Sequence, residues 1–386
     1  MENGTRIRRF QSCATDAREA AREFHAGVAQ PDMALVMFFC SSEYELDVLA
    51  EEMERLFAGV QVIGCTTAGE IGPEGCRDHS ISGASLSARS FAAASGLIDH
   101  LQQFETARGQ SLVQDLMQRL ESLEPGAGAN NSFALLLVDG LSMREEPVTS
   151  ALQNALGGIP LVGGSAGDGL EFRKTHVYVD GAFHEDSAVL TLVTTPLPFR
   201  VFKTQHFVPT DRRLVVTAAD AEHRIVREID GLPAAEEYAK LAGVDVWDLD
   251  PMSFAVSPVV CMIDGTNYVR SIQKANPDGS LTFFCAIEEG VVLRVGRGVD
   301  LEENLEKTFD GIRDEIGPPE IMLGFDCILR KLEIVHRELV NRVEATFRDN
   351  NVVGFDTYGE QYHGVHINQT FTGVAIGRAP TEVTDG

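Results

Sequence analysis

Basic residues are scarce in this 386-residue chain: 32 lysines and arginines face 58 aspartates and glutamates, for a formal charge of −26. A chain so acidic repels phosphate backbones and anionic lipid surfaces, and contact with either requires a local basic patch. Only Arg6, Arg8 and Arg9 cluster that way, so no nucleic-acid partner is expected. Long apolar runs are missing too. None approaches the ~18 residues of a membrane helix, and the start MENGTRIRRF leads into polar residues rather than a signal-peptide core. The expectation is a cytoplasmic protein without membrane contact. The seven cysteines (13, 40, 65, 76, 261, 285, 327) form no CxxC pair and no CxxCH, which speaks for reduced thiols and against covalent haem. No P-loop and no strand-borne G-x-G-x-x-G is present, so nucleotide binding is not supported.

What is present is ordinary globular material, 44% hydrophobic and 23% charged, enough for two or three domains at about 150 residues each. Residues 12–29 read as a helix capped by Ser12 or Thr15. Ala34–Cys40 is a continuous apolar run, the pattern of a strand covered on both faces. A helix over Glu43–Phe57 follows, then a strand Val60–Ile63 ending in Gly64-Cys-Thr-Thr-Ala-Gly-Glu70. Such a strand-helix-strand unit favours a right-handed parallel crossover. The layout returns: aligning Val60 with Ile159 also sets Ala34 on Phe133 and Gly64 on Gly163, and the second tip reads Gly163-Gly-Ser-Ala-Gly-Asp168. A third copy runs through Ile321–Ile328, a helix Leu332–Phe347 and Val352-Val-Gly-Phe-Asp-Thr-Tyr-Gly-Glu360. That likeness is short, and chance is its alternative. If it is real, three strand ends converge on one site.

Between the units the chain reads as β. Thr175–Val179, a turn at Asp180-Gly181 and Ala188–Thr194 suggest a hairpin. Pro196 and Pro198 mark a boundary, giving domains 1–197 and 198–378 and a disordered polar tail 379–386. Strands follow at Arg213–Thr217, Ile225–Ile229, Ser253–Met262, Tyr268–Gln273 and Leu281–Ile287, with a helix at Ala234–Leu241. The fold class is therefore mixed α+β and α/β, with repeated strand-helix-strand units in two lobes. Exposed sheet edges would permit a homodimer.

The stretch Val353–Phe371, VGFDTYGEQYHGVHINQTF, concentrates glycines and convergent polar side chains at a strand tip, the usual makings of a ligand pocket. Gly163-Gly-Ser165-Ala-Gly167 fits a nucleophile elbow, but no helix follows it, and a tight glycine turn is the plainer reading. Cys327 lies three residues before Arg330, whose charge would activate a thiol, against inert packing as the alternative. His363 and His366 lack partners at zinc spacing. His206, between Val201-Phe202 and Phe207-Val208, offers a neutral imidazole in aromatic, water-poor surroundings suited to haem iron, with a plain core or turn histidine as the alternative.

The chain resembles the FIST sensory family over nearly its whole length, through VIGCTTAGEI and VGGSAGDGLEF in the first half and VTAADAEHRIVREIDGLPAAEEYA, DCILR, GFDTYGEQ and HINQTFTG in the second. KTQHFVPTDRRLVVTAAD, YVRSIQKANPDGSLTFFCAIEEG and TYGEQ look most like its nitric-oxide-sensing branch, NosP. That resemblance implies a FIST N domain followed by a FIST C domain, with no catalytic turnover. It further implies a haem b cofactor that binds nitric oxide at iron and signals to a partner histidine kinase, influencing biofilm. His206-Phe207 stands where the wider family has a Gly-Trp-like pair, which makes His206 the expected iron ligand, with Arg270 and Arg330 as propionate partners and Tyr358 beside the cofactor. The wider family implies instead a haem-free receptor for a small polar, amino-acid-like ligand held by Asp168, Arg270, Tyr358, Glu360 and Asn368. A hydrolase using Ser165 or Cys327 is the third reading.

Overall fold

A computed structural model of the chain describes residues 6–263 and 265–378; the tail 379–386 lies outside the described residues. The first unit runs β1 (Ile7–Ser12), α1 (Ala17–Val28), β2 (Met33–Ser41), α2 (Leu46–Leu56), β3 (Val62–Thr67), a hairpin β4 (Glu70–Gly72) and β5 (Gly75–Arg77), and β6 (Ile81–Ser87). The second repeats it with β7 (Ala92–Ile98), α3 (Thr106–Leu123), β8 (Ser132–Val138), α4 (Glu145–Leu156), β9 (Leu161–Ser165), β10 (Val177–Val179), β11 (Ala182–His184) and β12 (Ala188–Thr194).

The third unit opens with β13 (Phe199–Thr204) and is then interrupted. The inserted body comprises β14 (Phe207–Asp220), β15 (Ile225–Ile229), β16 (Leu232–Pro233), α5 (Ala234–Ala242), α6 (Pro251–Val256), β17 (Val259–Ile263), β18 (Thr266–Arg270), β19 (Ile272–Ala275), β20 (Leu281–Phe283) and β21 (Val292–Gly298). The unit resumes as α7 (Leu301–Ile316), β22 (Ile321–Cys327), α8 (Ile328–His336), α9 (Val340–Asp349), β23 (Val352–Thr357), β24 (Glu360–Tyr362), β25 (Val365–Ile367) and β26 (Phe371–Ile376).

In every unit the middle pair is parallel, β2 with β3, β8 with β9 and β22 with β23, which is the crossover geometry expected from the sequence. The opening and closing strands of each unit complete a sheet of four. Two further strands then come from another unit. Hairpin β4–β5 of the first unit pairs onto β23 of the third, β24–β25 of the third onto β9 of the second, and β10–β11 of the second onto β3 of the first. The exchange closes a ring of three six-stranded sheets.

Strand alternation explains the layers. Leu35, Met37 and Phe39 point to a central core shared with Phe133, Leu135 and Leu137 and with Leu323 and Phe325, while Val36, Phe38 and Cys40 face the outer helices. Because both faces are covered, these strands read as unbroken apolar runs. Phe39 and Phe355 meet at 4.7 Å between ring centroids in the middle of the ring. The glycine that follows each tip strand's apolar start is required by close approach: a Cβ at Gly163 would lie 1.9 Å from the Leu136 carbonyl oxygen, and one at Gly354 1.7 Å from that of Gly324. The inserted body has its own core of Val216, Val226, Tyr238, Phe254 and Leu293, among others.

Several sequence expectations need correction. Ser12 belongs to β1, and the first helix is capped by Asp16, whose side chain accepts the Glu19 N–H. The Asp180-Gly181 turn does close a hairpin, but onto Ala182–His184; Ala188–Thr194 instead lies between β7 and β8 in the second unit's sheet. Residues 251–256 are helical, although a strand was expected from Ser253, because Asp250 caps them and Pro251 takes the first helical position. The helix expected over 332–347 is two, broken where Glu338 takes a positive φ.

Candidate functional site

The ring brings the three strand tips together. Gly167 donates its N–H to the Thr66 carbonyl (3.0 Å), Ala68 to Asp356 (2.9 Å) and Ser165 to Gly359 (2.8 Å), so each tip is hydrogen-bonded to another. Two of them carry the same buried clasp. Glu70 takes the hydroxyl of Thr67 and the N–H and hydroxyl of Ser80; Glu360 takes the hydroxyl of Thr357 and the N–H and hydroxyl of Thr370. Burial drives both carboxyls up to about 8 against these hydrogen bonds, so both are largely protonated at neutral pH. Glu360, with no exposure and both oxygens engaged, holds the tip together rather than facing a ligand.

Asp168 and Tyr358, singled out from sequence, are partners. The Tyr358 hydroxyl donates to Asp168, whose carboxylate also accepts the N–H groups of Phe172 (2.9 Å), Arg173 (2.7 Å) and Lys174 (2.8 Å). The tyrosine ring stacks on Phe172 at 4.5 Å. Asp168 is thereby committed to shaping the loop that follows β9.

Arg270 and Asn368 meet where the inserted body docks. Arg270 donates to the His366 carbonyl (2.9 Å) and to the Cys261 sulfur (3.3 Å), and the Asn368 side-chain carbonyl accepts the Ser271 N–H (3.4 Å). His366 points inward, its Nε2–H on the Phe284 carbonyl at 3.2 Å. The docking is reinforced by Arg224, buried between Glu145 and Glu146 at the start of α4 and donating to the same Phe284 carbonyl at 2.7 Å.

His206 stands elsewhere. Its side chain has no exposure, its Nε2–H donates to Glu333 at 2.8 Å, its ring packs on Phe207 at 4.1 Å, and its Nδ1 has no partner. The donor type suits iron, since a ligating imidazole commonly donates its other N–H to a carboxylate. The space does not: a fully enclosed ring leaves no opening for a macrocycle, and Arg330, the expected propionate partner, is itself enclosed and paired with Asp326 at 2.8 Å. These residues, as arranged, do not fit haem. Among the described residues no group of three or more His, Cys, Asp or Glu side chains is placed to hold a metal ion.

Nor does either expected nucleophile stand ready. Burial and the neighbouring Glu360 push the Cys327 thiol well above its ordinary value, because Arg330 turns to Asp326 instead of to the sulfur. Ser165 is enclosed and accepts the Gln361 amide at 2.8 Å.

The open space lies beside the tips, at the carboxyl ends of β2 and β3, the place where open α/β sheets usually bind ligands. It is a cleft of about 400 Å³ bounded by Ser41–Glu43, Thr67, Asp78, Asp168–Glu171 and the face of α8 bearing Ile328, Lys331, Leu332 and Val335. A smaller recess of about 140 Å³ continues past Lys331 to Asp326 and Asp356. Lys331 divides the two, donating to the Ala68 carbonyl at 2.8 Å and pairing with Asp356 at 3.1 Å and with Asp78. Burial opposes its charge, but the Asp356 and Asp78 carboxylates outweigh burial and hold its pKa above the ordinary lysine value. Burial lifts Asp356 to about 6 and Asp326 to about 7, opposed by Lys331 and Arg330 respectively. The cleft thus offers hydroxyls, an acidic rim, one fixed cation and an apolar wall. Sequence reasoning reached Asp168 on its edge and missed Lys331, whose one signal is that it directly follows the DCILR motif. Two comparable grooves, lined by Glu54, Gln61 and Arg119 and by Phe309, Arg313 and Asn350, lie away from the tips.

No helix of the described residues is long and apolar enough to cross a membrane. Among curated proteins the chain is similar to an uncharacterized protein of Methanocaldococcus jannaschii, 26% identical over 251 residues, 56% of this chain and 48% of that one; it therefore spans about half the length of this relative. Among solved structures it is similar to a cyanuric acid hydrolase, with 10% identity and a TM-score of 0.36 over 96% of this chain and 99% of that one. The FIST N domain model matches residues 34–232 and the FIST C domain model residues 234–363. The chain belongs to the FIST family.

Proposed function

We propose that the chain is a receptor for a small polar ligand that carries both a charged and an apolar part, an amino acid or its amine, held in the cleft beside Lys331. FIST domains are sensory domains for small ligands in signalling. The observation that supports this reading is the cleft itself, which has the volume of a small-molecule site and is walled by elements of all three units. An ammonium group would meet the rim of Glu43, Asp78 and Glu171, a carboxylate would meet Lys331, and an apolar side chain would lie on Leu332 and Val335. Binding without turnover is proposed, with a histidine kinase in the cytoplasm as the reader of the bound state.

The test is a thermal-unfolding screen of the full chain against the proteinogenic amino acids and their decarboxylated amines. A ligand at a hundred times its dissociation constant adds about 2.7 kcal/mol. One compound should raise the wild-type melting temperature and lose that effect in Lys331→Met and in Leu170→Trp, the latter filling the cleft mouth from a half-exposed position. A panel with no stabilising member, or a shift that survives both substitutions, overturns the proposal.

The nitric-oxide-sensing haem reading comes second. One observation favours it, the unpartnered Nδ1 of His206, but it requires the protein to open around that ring. Titration with haemin decides it: a sharp, saturable Soret band that is lost in His206→Gln would promote this reading, and the broad absorbance of loosely associated haemin in both proteins would remove it.

A further inference from the structure

The two sides of helix α8 do different things. Ile328, Lys331, Leu332 and Val335 line the cleft. Arg330 and Glu333 lie on the enclosed side, with 1% and no exposure. Glu333 holds two groups at once, His206 through one oxygen (2.8 Å) and Arg337 through the other (2.8 Å).

His206 occupies a particular place in the chain. It belongs to the two-residue link between β13, in the third unit's sheet, and β14, in the inserted body. The returning chain passes the same point: Val299, just after β21, donates its N–H to the His206 carbonyl at 2.8 Å, and Asp300 then caps α7. Gly298 abuts the Arg337 guanidinium, since a Cβ there would lie 3.3 Å from its Nη2. One covalent connection of the inserted body therefore meets the Glu333 carboxylate directly, through His206, and the other reaches it through Arg337. A second contact lies at the other end of the body, where α6 packs on α8 and the Gln369 amide donates to the Ala255 carbonyl at 2.8 Å.

We infer that α8 couples the cleft to the inserted body, with Glu333 and His206 as the joint. The inference rests on the cleft being the ligand site. A ligand engaging Lys331 must compete with Asp356, Asp78 and the Ala68 carbonyl for its ammonium, and any resulting shift of this nine-residue helix bears on Glu333 two positions later. Because Glu333 is buried and already shared between two cationic or hydrogen-bonding partners, it cannot move without dragging or releasing His206. The body so released carries Trp247, at 90% the most exposed large apolar side chain among the described residues, and Met262 at 55%, which gives it a surface whose orientation a partner can read. His206 is thus a positioning residue, acting through Glu333 and not on the ligand.

Hydrogen exchange of the full chain tests the coupling without knowing the ligand. The amides to follow are Val299, whose bond closes the joint, and Phe207 and Val208 at the start of β14. Lys331→Met perturbs the cleft side; Glu333→Leu removes both oxygens of the joint at similar bulk. Lys331→Met should speed exchange at these amides by about tenfold, the scale of one charge-assisted hydrogen bond, yet by less than about twofold when Glu333→Leu is already present. Unchanged Val299 exchange in Lys331→Met, or effects of the two substitutions that multiply independently, would overturn the inference. Should Lys331→Met lose its far-ultraviolet helical signal, Val335→Asp, on the exposed cleft wall, takes its place in the same cycle. A failed ligand screen with the coupling intact would count against the cleft reading alone; ligand binding with independent exchange effects would count against the joint alone.

Discussion

Glu360 makes the stability of the strand tips depend on pH in a direction that can be measured. Its carboxyl is fully buried and burial raises it from 4.5 to about 8, so the folded chain holds this proton more tightly than the unfolded chain does. The stabilisation it contributes is complete below about pH 4.5 and is lost as the pH rises through 8. A difference of about 3.5 at roughly 1.4 kcal/mol per pH unit gives about 5 kcal/mol as the upper limit of that loss. Glutamine imitates the protonated acid: its carbonyl accepts from the Thr370 N–H and hydroxyl while its amide faces the Thr357 oxygen. Urea unfolding of wild type and Glu360→Gln from pH 5 to pH 9 should show similar stability at the acid end and a variant several kcal/mol more stable at the alkaline end. Glu70, in the matching clasp, retains its own share of the slope until Glu70→Gln is added. Parallel pH profiles for wild type and Glu360→Gln would refute the reasoning, because they would mean that the carboxyl ionises in the fold without cost.

Three further outcomes are expected. Arg224→Met leaves Glu145 and Glu146 facing each other at the docking seam and should cost about 3–5 kcal/mol, read by urea unfolding, with earlier exchange of β15 and β20 amides if the inserted body loosens first. Tyr358→Phe keeps the stack on Phe172 but removes the hydroxyl on Asp168, for a loss of about 1–3 kcal/mol; a melting temperature equal to wild type would show that the loop after β9 does not depend on that bond. Gly354→Ala places a methyl group against the Gly324 carbonyl and should abolish soluble folded protein, measured as yield after cell lysis, whereas Gly311→Ala on α7, which meets nothing within 4 Å, should leave it unchanged.

The three crossover units were legible in the sequence because their strands are covered on both faces and stand out as unbroken apolar runs between amphipathic helices. Of the opening and closing strands only β12 (Ala188–Thr194) was, and its partners were not. β6 (ISGASLS) and β7 (AAASGLI) are built from small residues with little β-branched content, and β1 (IRRFQS) has only two apolar residues among six and no alternation. The hairpin exchange was invisible for another reason: β4, β10 and β24 are three-residue strands whose partners lie far away in the chain, and no local pattern announces that. At the site, Asp168, Tyr358 and Asn368 attracted notice as polar residues in or beside glycine-bearing tips and Arg270 through the family resemblance, but what such residues bond to cannot be read from spacing. Asp168 proved to be taken by its own loop and Tyr358, while Lys331 falls between the expected strand and the expected helix, where no local pattern announces Asp356 and Asp78 as its partners.

The traded hairpins bear on where this chain can be cut. Removing everything after residue 197 would leave the first sheet whole, because β10 and β11 remain, but would strand β4 and β5 without the neighbour they pair with and strip the second sheet of β24 and β25. Two of the three seams would open, each exposing unpaired backbone along an edge. The halves on either side of that cut are therefore not independent bodies joined by a tether. They behave as interlocking pieces of one closed loop, and a fragment should recover its shape only in the presence of its complement.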